Sequence, residues 1–343
     1  MNTLHFIKKN KRYFIAILLV VVFALIGRFI TTIDFVKLKK YLLEMPVMIG
    51  GVLLASVLAY ISSTAAWWLC LGKERKKTTF SELFAFKHLG EMLTVFNPTG
   101  IVAGDGLKAT YIFQKGVDKK DGLSSILLSR ALIFLSGISL LVISTVYIII
   151  SKTGNDESSA RILTGVITIG LGAVFLSILG LHKNLYLGKM AKILKSKKKF
   201  TFITDKSVAS IYDINQLLSD FFRYRKTSFI SAFLLSAAQW MFGALEFFIV
   251  LRMLSVPVVF PDAVAVEMGV IFFKTVGAVV PGQLGIEEYG NKVMLDTIGV
   301  HGNEIWLVIT LMRRSRQLFW LGIAGIFAIV ISKNNQKEIS TDD

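Results

Sequence analysis

Two apolar stretches of this 343-residue chain are broken in the middle, and the breaks restrict the fold more than any other feature. Residues 80–116 are cut by Pro98 with Gly100, and residues 262–299 by Pro281 with Gly282 and Gly285. Around them lie unbroken apolar stretches at about 13–32, 46–71, 126–150, 162–181, 229–251 and 305–331. Each approaches or exceeds the roughly 20 residues that a helix needs to cross a hydrocarbon core about 30 Å thick. A proline removes a backbone donor and clashes with the preceding turn, so each break frees amide and carbonyl groups that lipid cannot satisfy. The breaks must therefore face protein or trapped water. The pattern predicts an all-α, polytopic transmembrane helix bundle with two re-entrant helical hairpins, in a single integral membrane domain over residues 1–343.

Composition agrees. Hydrophobic residues make up 54%, charged residues 18%, and the mean hydropathy is +0.62, beyond what a soluble domain of this length shows. The N-terminal "KKNKRYFIAILLVVVFALIG" resembles a signal peptide, but it lacks a small-residue cleavage site and its apolar run is long, which favours an uncleaved first span. Lys8, Lys9, Lys11 and Arg12 hold its start in the cytoplasm, as do "GKERKK" at residues 72–77 and the basic segment 183–226. Both termini are thus expected in the cytoplasm of a cell whose inner membrane the protein spans. The 183–226 segment carries 11 Lys or Arg against three Asp, a net 11 − 3 = +8 out of the chain's +16. Cations at an anionic leaflet attract headgroups by about 1 kcal/mol each, so topology and lipid contact account for the charge without nucleic acid. Within it, "FITDKSVASIYDINQLLSDFF" places Val208, Ile211, Leu218 and Phe222 near one stripe, fitting either an interfacial helix or one packed under the bundle.

Other chemistries find little support. Cys70 is the lone cysteine, and His5, His88, His182 and His301 are scattered without metal-ligand spacing. No Walker loop, GxSxG or dinucleotide fingerprint occurs, so neither a cofactor nor an ATPase is expected. What remains is a set of ionisable residues at membrane depth: Arg130, Glu246, Glu267, Lys274, Arg313, Arg314 and Arg316 in the apolar stretches, with Glu91, Asp105, Lys108, Glu287, Glu288 and Lys292 in the broken ones. Such residues are expensive in a bilayer and point to function. They are equally consistent with buried ion pairs that fix helix register.

The two broken stretches also resemble each other. "FNPTGIVAGDGLKATYI" and "VVPGQLGIEEYGNKVML" each run proline, glycine-rich turn, carboxylate and lysine. Asp105 lies seven residues after Pro98, and Glu288 seven after Pro281. With the basic loops inside, the first enters from the cytoplasm and the second from the opposite face, an inverted repeat of the kind that builds transporter sites near the midplane. A helix broken inside a protected cavity exposes half-helix ends that can hold a polar group.

At these residues the chain resembles the lysylphosphatidylglycerol synthase transmembrane region family, a flippase-like integral membrane family. The resemblance covers about residues 10–331 and rests on "NPTGIVAGDGLKATYI", "SSILLSRALIFL", "VVPGQLGIEEYG" and "LMRRSRQLFWLGIAG". It implies substrate-binding roles for Asp105, Lys108, Arg130, Pro281, Gly282, Gly285 and Glu288, and for Arg313 or Arg316 with Arg314 as the competing choice. Lys108 and Glu287 depart from the residues expected there. Some relatives fuse this region to an aminoacyl-transferase domain; without one, lysyl transfer is not expected of this chain. The expected activity is translocation of a polar or charged lipid headgroup, from a phospholipid, aminoacylated lipid or polyprenyl-linked glycan, with no covalent step. Its rivals are a membrane-embedded transferase acting on a lipid-linked substrate through Asp105 or Glu288, and a structural membrane partner. A homo-oligomer is compatible with all three.

Overall fold

A computed structural model describes residues 35–96, 100–151, 185–196, 204–277 and 285–341, together with 170, 172 and 283. The expected span at 13–32, nearly all of that at 162–181, and Pro98, Pro281 and Gly282 lie outside the described residues. The described chain is helical, with no strand. In order it forms α1 (Phe35–Cys70), a 3-10 turn (Gly72–Lys77), α2 (Phe80–Phe96), α3 (Gly100–Gln114), α4 (Lys119–Ser151), α5 (Tyr186–Ser196), α6 (Asp205–Tyr224), α7 (Lys226–Met253), α8 (Phe260–Val276), α9 (Ile286–Thr297) and α10 (Asn303–Thr341).

Helices α1, α4, α7 and α10 are each long and apolar enough to cross a membrane. They exceed the apolar stretches that announce them. α1 begins 11 residues before Pro46, which the apolar pattern places at the start of the span, and carries that proline in its interior. The added turns contain Lys37, Lys39, Lys40 and Glu44, which remain helical because a helix outside the hydrocarbon can keep polar side chains in water. Apolar side chains cover the outside: Phe134, Ile143, Leu234, Leu318 and Ile326 are all more than half exposed. In the most apolar window of α10 only 11% is buried, as expected for a surface that meets lipid rather than water.

α1 and α7 run antiparallel as the central pair. Gly51 of α1 lies against Ile249 of α7, and the Arg225 guanidinium before α7 donates to the Leu69 carbonyl at 2.7 Å. The long helices α4 and α10 are tied to this pair by indole N–H groups, which need partners once buried. Trp67 donates to Ser125 Oγ at 3.1 Å, Trp240 to the Ile133 carbonyl at 3.1 Å, and Trp320 to Ser56 Oγ at 2.8 Å.

Each broken stretch folds into an antiparallel helical hairpin. In the first, Glu82 pairs with Lys115 at 2.8 Å, Phe86 stacks on Tyr111 at 4.9 Å, and Gly90 meets Lys108. These contacts step by one helical turn along α2 and back along α3. In the second, Gly277 faces Ile286, Phe273 faces Gly290, and Gly269 faces Met294, with the same step along α8 and α9. The first hairpin packs in an apolar cluster with the C-terminal end of α1 and the start of α7, through Trp67, Leu71, Leu83, Ile112 and Phe229. The second packs at the other end, with Met48, Leu251, Val266, Leu295 and Ile309. The hairpins therefore enter the bundle from opposite ends. Beside the first, Lys77 donates to Glu74 and to the Gly116 carbonyl, and its hydrogen bond holds the Glu74 carboxyl below the usual carboxylate range.

Candidate functional site

The second hairpin, α7 and the middle of α10 converge on a buried charge network. Arg313 donates through Nη1 to Glu267 of α8 at 2.9 Å and through Nε to Glu287 of α9 at 2.7 Å, with Glu246 of α7 at 4.0 Å. Arg316 Nη1 reaches both oxygens of Glu246, at 2.6 and 2.7 Å. Lys274 adds a 3.4 Å contact to Glu287. Glu246, Glu267, Glu287 and Arg313 are each 6% exposed or less, and at such burial a charged group is tolerated only opposite a partner of the other sign. The Arg313 guanidinium also lies 4.7 Å from the Phe247 ring centroid.

Helix geometry explains which arginines take part. Residues 313, 316, 317 and 320 recur at spacings of three and four, so they share one face, and all line the same cavity. Arg314 is turned about 100° away. It pairs instead with Glu288 at 2.8 Å and with Gln317 Oε1 at 2.7 Å.

That cavity has a volume of about 380 Å³. Lys87, His88 and Glu91 of the first hairpin and Glu267 and Lys274 of the second meet across it. α1 and α7 supply Tyr60, Gln239 and Trp240. Gln239 is 13 residues into the 28-residue α7, which places the cavity near mid-length of the bundle. A second cavity, of about 250 Å³, adjoins it: Lys87 and Glu91 line both, and Lys108, Ser129 and Arg130 line the smaller one. Asp105 accepts from Arg130 Nη2 at 2.7 Å and lies 3.5 Å from Lys108 Nζ.

The repeat seen in the sequence therefore extends to its partners. In the first unit the acid of the second half-helix, Asp105, pairs with Arg130, 25 residues on, in the next long helix. In the second unit Glu287 and Glu288 pair with Arg313 and Arg314, each 26 residues on, again in the next long helix. Two copies of hairpin plus long helix carry the same acid–arginine link.

Of the residues singled out from the sequence, Lys108 and Arg130 line the smaller cavity with Asp105 bonded to both, and Arg313 and Arg316 line the larger. Gly285 is the N-cap of α9 with φ +81°, a left-handed conformation suited to glycine, and its N–H donates to Glu288 Oε2 at 2.8 Å. Glu288 thus closes its own helix and holds Arg314, and it lines neither cavity. Its neighbour Glu287, noted in the sequence as a departure, is the carboxylate that reaches Arg313. Glu267 and Lys274 both line the larger cavity and bond to Arg313 and Glu287, on other helices. Lys87, His88, Tyr60 and Gln239 were not marked beforehand. The visible signal was "FAFKHLGEML", in which Lys87, His88 and Glu91 interrupt an apolar half-helix at spacings that share a face. Among the described residues no group of three or more His, Cys, Asp or Glu side chains is placed to hold a metal ion.

An apolar exterior, several spanning helices and a charged interior at mid-length define a multi-pass integral membrane protein. The chain belongs to the lysylphosphatidylglycerol synthase TM region family, whose model matches residues 13–325. No curated protein and no solved structure matched the chain at a significant level.

Proposed function

We propose that the protein is a lipid translocase that carries a polar headgroup through the bundle while the tails remain in the bilayer, without a covalent step. The observation that carries this reading is the position of the larger cavity. It sits at mid-length, between hairpins that enter from opposite ends, and is walled by both signs of charge. A headgroup crossing bare hydrocarbon meets a large desolvation barrier, and fixed charges and dipoles at the midplane lower it. On this reading the hairpins are re-entrant, the partner is a membrane lipid, and the basic segment 183–226 rests on the anionic cytoplasmic leaflet of the inner membrane. Within that segment Lys189, Lys192 and Lys195 of α5 accompany the exposed Met190 and Ile193, a composition suited to headgroups and acyl boundary rather than to nucleic acid.

Reconstitution tests the proposal. Purified protein in vesicles carrying a trace of fluorescent phospholipid should equilibrate the two leaflets, as read by a membrane-impermeant quencher, with the lipid chemically unchanged by mass spectrometry. Asp105→Asn should remain folded and slow the exchange by about tenfold or more, since the isostere keeps the packing but weakens the hold on Arg130 and Lys108. Conversion of the lipid to a new species by the wild-type protein would replace the translocase with a transferase.

A further inference from the structure

We infer that the larger cavity selects a neutral, hydroxyl-rich headgroup, a sugar or a glycerol, rather than one held by its own net charge. The inference deepens the translocase reading and depends on it only for the lipid's passage, not for the binding.

The charges of the wall are matched to one another. Lys87 pairs with Glu91, Lys274 with Glu287, Arg313 with Glu267 and Glu287, and Arg316 with Glu246. Lys87, Lys274, Arg313 and Arg316 line the cavity with Glu91, Glu246 and Glu267, and Glu287, behind the wall, supplies the fourth carboxylate through its bonds to Lys274 and Arg313, so the paired network sums to 4 − 4 = 0. An ammonium or phosphate entering here would have to displace a partner from a buried pair, stranding a like charge. A neutral ligand displaces none.

What the cavity has left over is neutral hydrogen-bonding capacity. Gln239 Oε1 is buried without a hydrogen-bond partner, and the ring nitrogens of His88, a residue only 2% exposed, make no well-aligned hydrogen bond, their one near partner being the Phe84 carbonyl one turn earlier. Both residues line the cavity. Buried polar atoms are nearly always bonded, so two such side chains at one cavity mark where a ligand's donors and acceptors belong. A hydroxyl suits both, because it donates to the amide oxygen and exchanges roles with either form of the imidazole.

Part of the remaining wall is aromatic and held in place. His88 lies 4.2 Å from the Tyr60 ring centroid and 4.6 Å from that of Trp320, and Trp240 lines the same space. The Trp240 and Trp320 N–H groups are already bonded to Ile133 and Ser56, which leaves their rings rather than their donors to the cavity. The negative face of an aromatic ring attracts the weakly positive C–H groups of a sugar or glycerol. A volume of about 380 Å³ admits a headgroup of that size.

Photo-crosslinking in detergent micelles tests binding separately from transport. Diazirine-tagged glucosyl-diacylglycerol, phosphatidylglycerol and phosphatidylethanolamine would be compared, the last two sharing a phosphate and differing in hydroxyls against ammonium. Adducts on Tyr60, Trp240 or Trp320 are expected about tenfold more often with the glucosyl lipid than with either phosphate-bearing lipid. Of the two phospholipids, the glycerol one should label more than the ethanolamine one, because its hydroxyls can enter where an ammonium cannot. Gln239→Met and His88→Phe should bring the preference close to one. Neither should unfold the protein, since removing an unpartnered buried polar atom is close to neutral for stability. Equal labelling by all three lipids, preference for either phospholipid over the glucosyl lipid, or a preference unchanged in both variants would overturn the inference. Preferential labelling without leaflet exchange in vesicles would uphold it and remove the translocase reading instead.

Discussion

Arg313 holds the charge network together, because Glu267 and Glu287 come from separate helices and both bond to it. Arg313→Met leaves those carboxylates with Lys274 as the remaining close cation and should destabilise the fold by about 3–5 kcal/mol, the range for stranding a buried charge. The measurement is the thermal unfolding midpoint in detergent, followed through tryptophan fluorescence. The double variant Arg313→Met with Glu267→Gln should recover part of the loss, because one stranded charge is removed along with its partner. Arg314→Gln offers the contrast. Its pair with Glu288 is about one-fifth exposed on each side, and its loss should cost about 1 kcal/mol or less. An equal loss in both variants would mean that burial does not distinguish the two arginines.

The hairpins depend on glycines that do two different jobs. At Gly285 an added Cβ meets nothing within 4 Å, so Gly285→Ala acts only through the backbone at φ +81° and should cost about 1 kcal/mol. At Gly90 the obstacle is packing: a Cβ would lie 2.6 Å from Lys108 Cε and 2.7 Å from the Gly104 carbonyl oxygen. The lysine end can swing aside but the carbonyl cannot, so Gly90→Ala should spread α2 from α3 and lower the unfolding midpoint by several degrees. Gly106→Ala, on α3 in open space, is the control and should stabilise slightly through helix propensity. A Gly90 variant as stable as the Gly106 variant would show that the hairpin tolerates a wider spacing than its contacts indicate. Both breaks could be read from proline and glycine in the sequence. The one-turn register of each hairpin could not, since it follows from which small residue meets which large one across the gap.

The order of the long helices sets which segments are expected to share a side of the membrane. With the first hairpin at the end of the bundle that carries residues 72–77 and 225, and the second at the opposite end, the basic turn, the 183–226 segment and the C-terminus are expected on one side of the membrane. Reporter fusions after Lys77, Arg225 and Ser332 should report the cytoplasm and a fusion at Gly302 the opposite side. A cytoplasmic signal at Gly302 would mean that the hairpins do not oppose each other in the bilayer. The helical class, the long apolar spans and the two interrupted stretches follow from composition and periodicity, because a backbone in lipid has few other ways to satisfy its hydrogen bonds. The duplicated acid–arginine unit was half legible: Asp105 and Glu288 stand at matching distances from their prolines, whereas Arg130 and Arg314 become their counterparts only when the next long helix folds back. Nothing local distinguishes Glu287 from Glu288, or Arg313 from its neighbour Arg314. Adjacent residues on a helix point about 100° apart. Which of them faces a cavity, and which caps a helix or meets a partner at the rim, depends on the rotation of α9 and α10 against α7 and α8, and that rotation is set by packing among residues far apart in the chain.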